Sequence, residues 1–144
     1  MQALLDINVL LALFDEDHVF HQRAHDWFAE NRAAGWTTCP LTENGLVRIR
    51  SNPHYHPHVA IHAAAMIEAL RTFTASGDHA FWADDLSLLD ATRIEAPAVL
   101  GTRQITDIYL LALAVKQGGR LATFDQGVNL TAVRGAAPHH LCVI

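Results

Sequence analysis

Apolar positions recur along this chain with two different periods, and the periods mark out its elements. The run ALL at 3–5 is short, wholly apolar and halted by Asp6, which predicts a buried strand. NVLLALF then predicts a helix that ends before the acidic turn DED. From about Val19 to Ala33, Phe20, Ala24, Trp27 and Phe28 share one helical face, with Gly35 as the stop signal. WTTC, closed by Pro40, predicts a strand, after which Thr42 caps a short helix with Glu43 in its first turn and Leu46, Val47 and Ile49 facing inward. SNPHYHPH, punctuated by two prolines and Asn52, is a loop. A helix from about Val59 to Thr74 repeats Ala63, Met66, Ile67, Leu70 and Phe73 on one face. HAFWAD and SLLD read as strand and turn. Thr102 or Thr106 opens a long helix through Lys116, with Ile105, Ile108, Tyr109, Ala112 and Val115 on a face and Gly118-Gly119 at its end. RLATF is a strand, NLTAV a short turn or helix, and HLCVI a last strand.

Strands that alternate with helices predict an α/β layer architecture with a mostly parallel sheet. Sheets of that kind gather ligands beyond the carboxyl ends of their strands. Asp6 follows the first strand and Asp125 follows LATF, while Glu43 and Asp107 lie in the first turns of helices. All four acids are therefore expected at one sheet edge. Each has an ordinary role if taken singly. Asp6 would accept backbone amides at a strand end, Glu43 and Asp107 would favour a helix N-terminus through the dipole, and Asp125 would be a turn aspartate near a glycine. Taken jointly, they repel one another, and a hard divalent cation such as Mg²⁺ or Mn²⁺ resolves the conflict. The chemistry that fits such a site is hydrolysis of a nucleic-acid backbone.

Composition restricts the setting. A chain of 144 residues is expected to form one domain, 1–144, around its own core. The apolar stretches around 9–14 and 108–115 fall short of the ~20 residues that span a bilayer, and no basic segment precedes the first of them. Two cysteines, Cys39 and Cys142, do not make a disulfide framework, so a cytoplasmic protein without membrane association is expected. The net charge of −5 excludes binding to nucleic acid through a general basic field, so a phosphate partner needs a metal or a local arginine patch. Hydrophobic residues make up 51% of the chain, which leaves apolar surface for a protein partner.

Other chemistries are weaker. His54, His56, His58 and His62 cluster, yet zinc takes a defined tetrahedral set, and HYHPH reads as a proline-broken, solvated loop. There is no Gly-x-Ser-x-Gly elbow, and Gly118-Gly119 is a helix stop. A phosphatase with a strand-end nucleophile would want an acid where Asn8 stands, and a receiver domain would want a lysine on a late strand, whereas Lys116 lies on a helix.

The words DIN at 6–8, LTENGLVRI at 41–49 and ITDIYLLALAVKQGGRLATFD at 105–125 resemble, in that order, the acidic blocks of the PIN-domain nucleases, specifically the VapC toxins of bacterial toxin–antitoxin pairs. FWADDLSLLD at 81–90 is similar to a stretch in an actinobacterial-type branch of that family. The resemblance implies a three-layer α/β/α fold with a mostly parallel five-stranded sheet. It implies an Mg²⁺-dependent endoribonuclease, with Mn²⁺ as an alternative ion, that leaves a 5′-phosphate on transfer or ribosomal RNA. It also implies a homodimer held inactive by a VapB-type antitoxin. Position by position, it assigns metal binding to Asp6, Glu43, Asp107 and Asp125, and polar support to Asn8 and Thr123. Ile7 departs from the pattern, which often has Thr or Ser there. Arg48 and Arg50, following Glu43 on its helix, are candidate phosphate contacts. The alternative is a catalytically silent PIN-like binding module, which intact acids at all four blocks oppose.

Overall fold

The computed structural model describes residues 1–59 and 61–144. Five short strands, β1 (Ala3–Leu5), β2 (Trp36–Thr38), β3 (His79–Phe81), β4 (Arg120–Thr123) and β5 (Leu141–Val143), form one sheet in the order β3-β2-β1-β4-β5. Every pairing is parallel. The chain therefore builds outward from β1 through β2 to β3, then returns to lay β4 on the other side of β1. That reversal puts the topological switch point at the carboxyl ends of β1 and β4, where a sheet of this kind opens a crevice.

Helices α1 (Ile7–Phe14), α2 (His21–Asn31), α3 (Pro40–Arg50) and α4 (Ala63–Thr74) cover one face of the sheet, and α5 (Ile105–Lys116) covers the other. The strand alternation sorts side chains between the two cores. Ala3, Leu5, Trp36 and Ala122 pack with Leu10, Phe28, Leu46 and Leu70 on one side, whereas Leu4 and Leu121 pack with α5 on the other. This is a three-layer α/β/α architecture. α5 is sealed almost all round, with Ile108 and every residue from Leu110 to Ala114 buried, which fixes the register of its first turn against the sheet.

Several boundaries differ from those the sequence predicts, each for a local reason. Thr42 is not the cap of α3. Pro40 takes the first helical position, which needs no N–H, and Thr42 sits in the first turn, where its hydroxyl accepts from the Cys39 amide at 3.1 Å. Neither Thr102 nor Thr106 caps α5, because a 3-10 turn over Thr102–Gln104 leads directly into it. α4 begins at Ala63 rather than near Val59, and position 60 lies outside the described residues. Its assigned inward face is partly wrong: Met66 and Leu70 are buried, but Ile67 is 44% exposed. Ile105, assigned to the inner face of α5, is 40% exposed.

Gly119 joins α5 to β4 at the tightest backbone approach. A Cβ there would lie 2.5 Å from the Trp82 ring and 2.8 Å from the backbone oxygen of Gln2. Neither neighbour yields easily, since Trp82 is buried and Gln2 leads into β1. Gly119→Ala should destabilise the protein by about 1–3 kcal/mol. Gly101→Ala, where a Cβ meets nothing within 4 Å, should change little. Thermal melts of the two variants check this.

Candidate metal centre

Asp6 ends β1 and starts α1. Its amide continues the strand ladder by donating to the Ala122 carbonyl at 3.0 Å, and its side chain caps the helix by accepting the Ile7 amide at 2.6 Å. The second carboxylate oxygen accepts the hydroxyl proton of Thr123, at the end of β4, also at 2.6 Å. These two short, charge-assisted bonds stabilise a carboxylate that is only 4% exposed. Thr123 has one proton, spent on Asp6, so its oxygen accepts from its other neighbours. The Asn8 side-chain amide and the Asp125 backbone amide both reach it at 3.0 Å. Asn8 closes the frame by accepting the Phe124 amide at 3.2 Å. Asn8 and Thr123 thus lock the ends of β1 and β4 together and set the direction in which the chain leaves each strand.

Beyond β4 the chain presents Asp125, exposed at the rim, with one oxygen accepting the Gly127 amide at 2.6 Å. Asp107, in the first turn of α5, comes in from the opposite layer. Its carboxyl is raised to about 6, chiefly by burial, with smaller contributions from the charges of Asp6 and Asp125 and a hydrogen-bond approach to Asp125. Asp6 is also pushed upward, chiefly by burial and to a smaller degree by Asp125, against the pull of the Thr123 and Ile7 bonds. The structure therefore brings Asp6, Asp107 and Asp125 into one electrostatically coupled group. The charges that act on Asp107 are those of Asp6 and Asp125, both of its own sign. All-oxygen, like-charged donors of this kind fit a hard divalent ion.

Glu43 is held by partners of its own. It lies in the first turn of α3, as the sequence indicates, but one carboxylate oxygen accepts the Thr38 hydroxyl at 2.6 Å beside His79, towards the α3–α4 side. Arg48 is exposed and lines a cleft with Asn44 and with Ile7 and Thr106, the chain neighbours of Asp6 and Asp107. Arg50 is a correction. It is only 7% exposed, with its guanidinium 5.6 Å from the Tyr55 ring and its charge felt by Asp15, so it is a buried cation rather than a surface phosphate contact.

A second group gave no sign of itself in the sequence. Asp15, Asp17 and His56 bring ligand-type atoms within 4.8 Å of one another. His56 lies about forty positions from the two aspartates in the chain, so spacing carried no signal. Asp15 already accepts the Tyr55 hydroxyl at 2.7 Å and the Asp17 amide at 3.1 Å. Burial pushes Asp15 up, but those bonds and the charge of Arg50 outweigh it and hold its carboxyl below the usual range. The aspartate is satisfied by protein donors, and His56 ties its loop down on Asp17 at 3.1 Å.

A parallel sheet that carries aspartates just beyond β1 and β4, with a third in the first turn of α5, whose charges act on one another defines an α/β domain with an acidic switch point. The chain belongs to the PIN-domain family, whose sequence pattern matches residues 3–134, and within it to the VapC group. It is 45% identical over all 144 residues of both chains to Ribonuclease VapC44 of Mycobacterium tuberculosis. It is 46% identical to Ribonuclease VapC38 of the same species, with 99% of each chain covered, and 42% identical to Ribonuclease VapC39, with 94% of this chain and 96% of the relative covered.

The raised Asp107 value sets a pH dependence. An acid whose pKa is higher folded than unfolded stabilises the fold when protonated, and that contribution is lost as pH climbs from 3.8 through about 6. Above that range the metal-free site holds repelling charges. Asp107→Asn should therefore melt higher than the parent protein in EDTA at about pH 7.5, with the gap closing towards about pH 4. Melting curves at the two pH values check the sign.

Proposed function

We propose that this chain is a metal-dependent endoribonuclease, the toxin of a VapBC-type toxin–antitoxin pair. The observation that carries the reading is the coupled trio Asp6, Asp107 and Asp125 at the switch point, in a chain that matches ribonucleases along its whole length. In this reading Asp6, Asp107 and Asp125 would hold Mg²⁺, and Glu43 would add its charge from the first turn of α3. Mn²⁺ substitutes as an ion of similar preference. When bound, such an ion activates water and stabilises charge on the phosphodiester. Asn8 and Thr123 hold Asp6 in orientation and keep its charge, and Arg48, at the mouth of the adjoining cleft, takes a substrate phosphate.

The substrate we assign is a structured RNA, a transfer RNA or a ribosomal RNA loop, cleaved to leave a 5′-phosphate. The partner is a VapB-type antitoxin that lays an apolar segment along α1, α2 and α3 and sends a basic residue to the aspartates. Val19 at 85% and Phe20 at 36% exposure offer apolar contacts there. A homodimer accords with a separate exposed apolar set, Leu88, Leu89 and Leu100, on the α5 side. No described helix is long and apolar enough to cross a membrane, which is consistent with the cytoplasmic setting we assign.

Incubation with structured RNA should give cleavage in Mg²⁺ and none in EDTA. Asp107→Asn should slow cleavage by more than about a hundredfold, beyond the usual loss when only an outer-shell partner of a metal ligand is removed. Undiminished metal-dependent cleavage by that variant would sink the assignment. The ion itself gives a second readout. At free Mg²⁺ about a hundred times its Kd, the parent protein should gain ~2.7 kcal/mol of stability, and Asp107→Asn distinctly less.

A further inference from the structure

Glu43 has an anchor of its own, built from residues outside the sequence blocks that carry the four acids. Thr38, the last residue of β2, is fully buried, and its hydroxyl lies 2.6 Å from Glu43 Oε1 and 2.8 Å from His79 Nε2. A hydroxyl has a single proton. With Glu43 ionised, its oxygen only accepts, so Thr38 must donate to it and must accept from His79. That ordering requires the His79 tautomer with hydrogen on Nε2. The imidazole is fixed in two further ways. Strand pairing sets His79 opposite Trp36, and the two rings pack at a centroid distance of 4.6 Å. A half-buried, neutral imidazole suits the role, and burial holds His79 below its ordinary value against a smaller upward pull from Glu43.

We propose that His79 and Thr38 are positioning residues for Glu43, relaying one directed chain of hydrogen bonds from the edge strand β3 through β2 to the carboxylate. The chain holds Oε1 on the protein and, among the described residues, leaves Oε2 without a hydrogen-bond partner. Oε2 is thereby the atom offered to a water of the ion or to the attacking water. The relay also gives Glu43 a place fixed by its own partners. The carboxylates of Asp6, Asp107 and Asp125 are set by the β1–β4 frame and α5, whereas Glu43 is set independently by β2 and β3. This inference rests on the endoribonuclease reading.

The test pairs conservative with disruptive replacements. His79→Phe keeps the ring against Trp36 but removes the donor, and His79→Gln restores an amide donor. Thr38→Val removes the hydroxyl at constant shape, and Thr38→Ser keeps it. His79→Phe and Thr38→Val should lower kcat about 10- to 100-fold, as losses of partners that orient a metal-site group usually do. His79→Gln and Thr38→Ser should recover most of that loss. In a Glu43→Gln background, His79→Phe should cause no further loss, because the relay would have nothing left to position. A readout independent of turnover is the ring ¹⁵N spectrum of His79 in the metal-free parent protein, which should show hydrogen on Nε2. Hydrogen on Nδ1, equal loss in the conservative and disruptive variants, or additive loss with Glu43→Gln would overturn the relay. These outcomes are separable from failure of the activity itself, since Asp107→Asn must abolish cleavage whatever His79 does.

Discussion

A carboxylate buried at the end of the central strand needs donors, and Asp6 draws them from both directions in which the chain leaves it. The Ile7 amide comes from the helix that Asp6 starts, and the Thr123 hydroxyl comes from the neighbouring strand. Because Thr123 spends its only proton on Asp6, its oxygen is free to gather Asn8 and the Asp125 amide. One hydroxyl thus ties the first strand, the first helix and the loop after β4 into a fixed corner. Such a corner holds the carboxylate in place, and its donor bonds oppose the upward push that burial gives it.

The remaining charge arrives from the other layer. Asp107 is delivered by a helix whose burial leaves it little freedom, and it meets two like charges. Burial and those like charges together raise its carboxyl. The contrast with Asp15 is instructive. That aspartate is as little exposed as Asp6, yet a phenol, an amide and an arginine satisfy it, and its carboxyl sits low rather than high. Two acidic groups in one small domain therefore differ in the charges that act on them: Arg50 helps to hold Asp15 low, whereas like charges add to the rise at Asp107.

Much of this was legible in the chain. Short apolar runs closed by Asp6, Pro40 and the Gly118-Gly119 stop located the strands and helices, because turn chemistry and periodicity are local. The acids were legible as strand-end and first-turn residues for the same reason. Side-chain direction was not. Nothing local tells that Glu43 leans on Thr38 and His79, since those partners come from two other elements, the strands β2 and β3. Arg50 looked like its neighbour Arg48, but a position two further along α3 turns it under Tyr55. The Asp15–Asp17–His56 group depends on a loop folding back across some forty residues, a long-range event with no sequence period. Ile67 and Ile105 were misjudged because helical spacing identifies a stripe but not how far its neighbours extend over it.

The central claim is that the three aspartates form one divalent-metal centre, and an anomalous difference map from crystals of the intact protein grown with Mn²⁺ tests it most directly. The account predicts a peak among the carboxylates of Asp6, Asp107 and Asp125, beyond the carboxyl ends of β1 and β4. A peak only at Asp15, Asp17 and His56, or no peak within reach of Asp107 at saturating Mn²⁺, would contradict it.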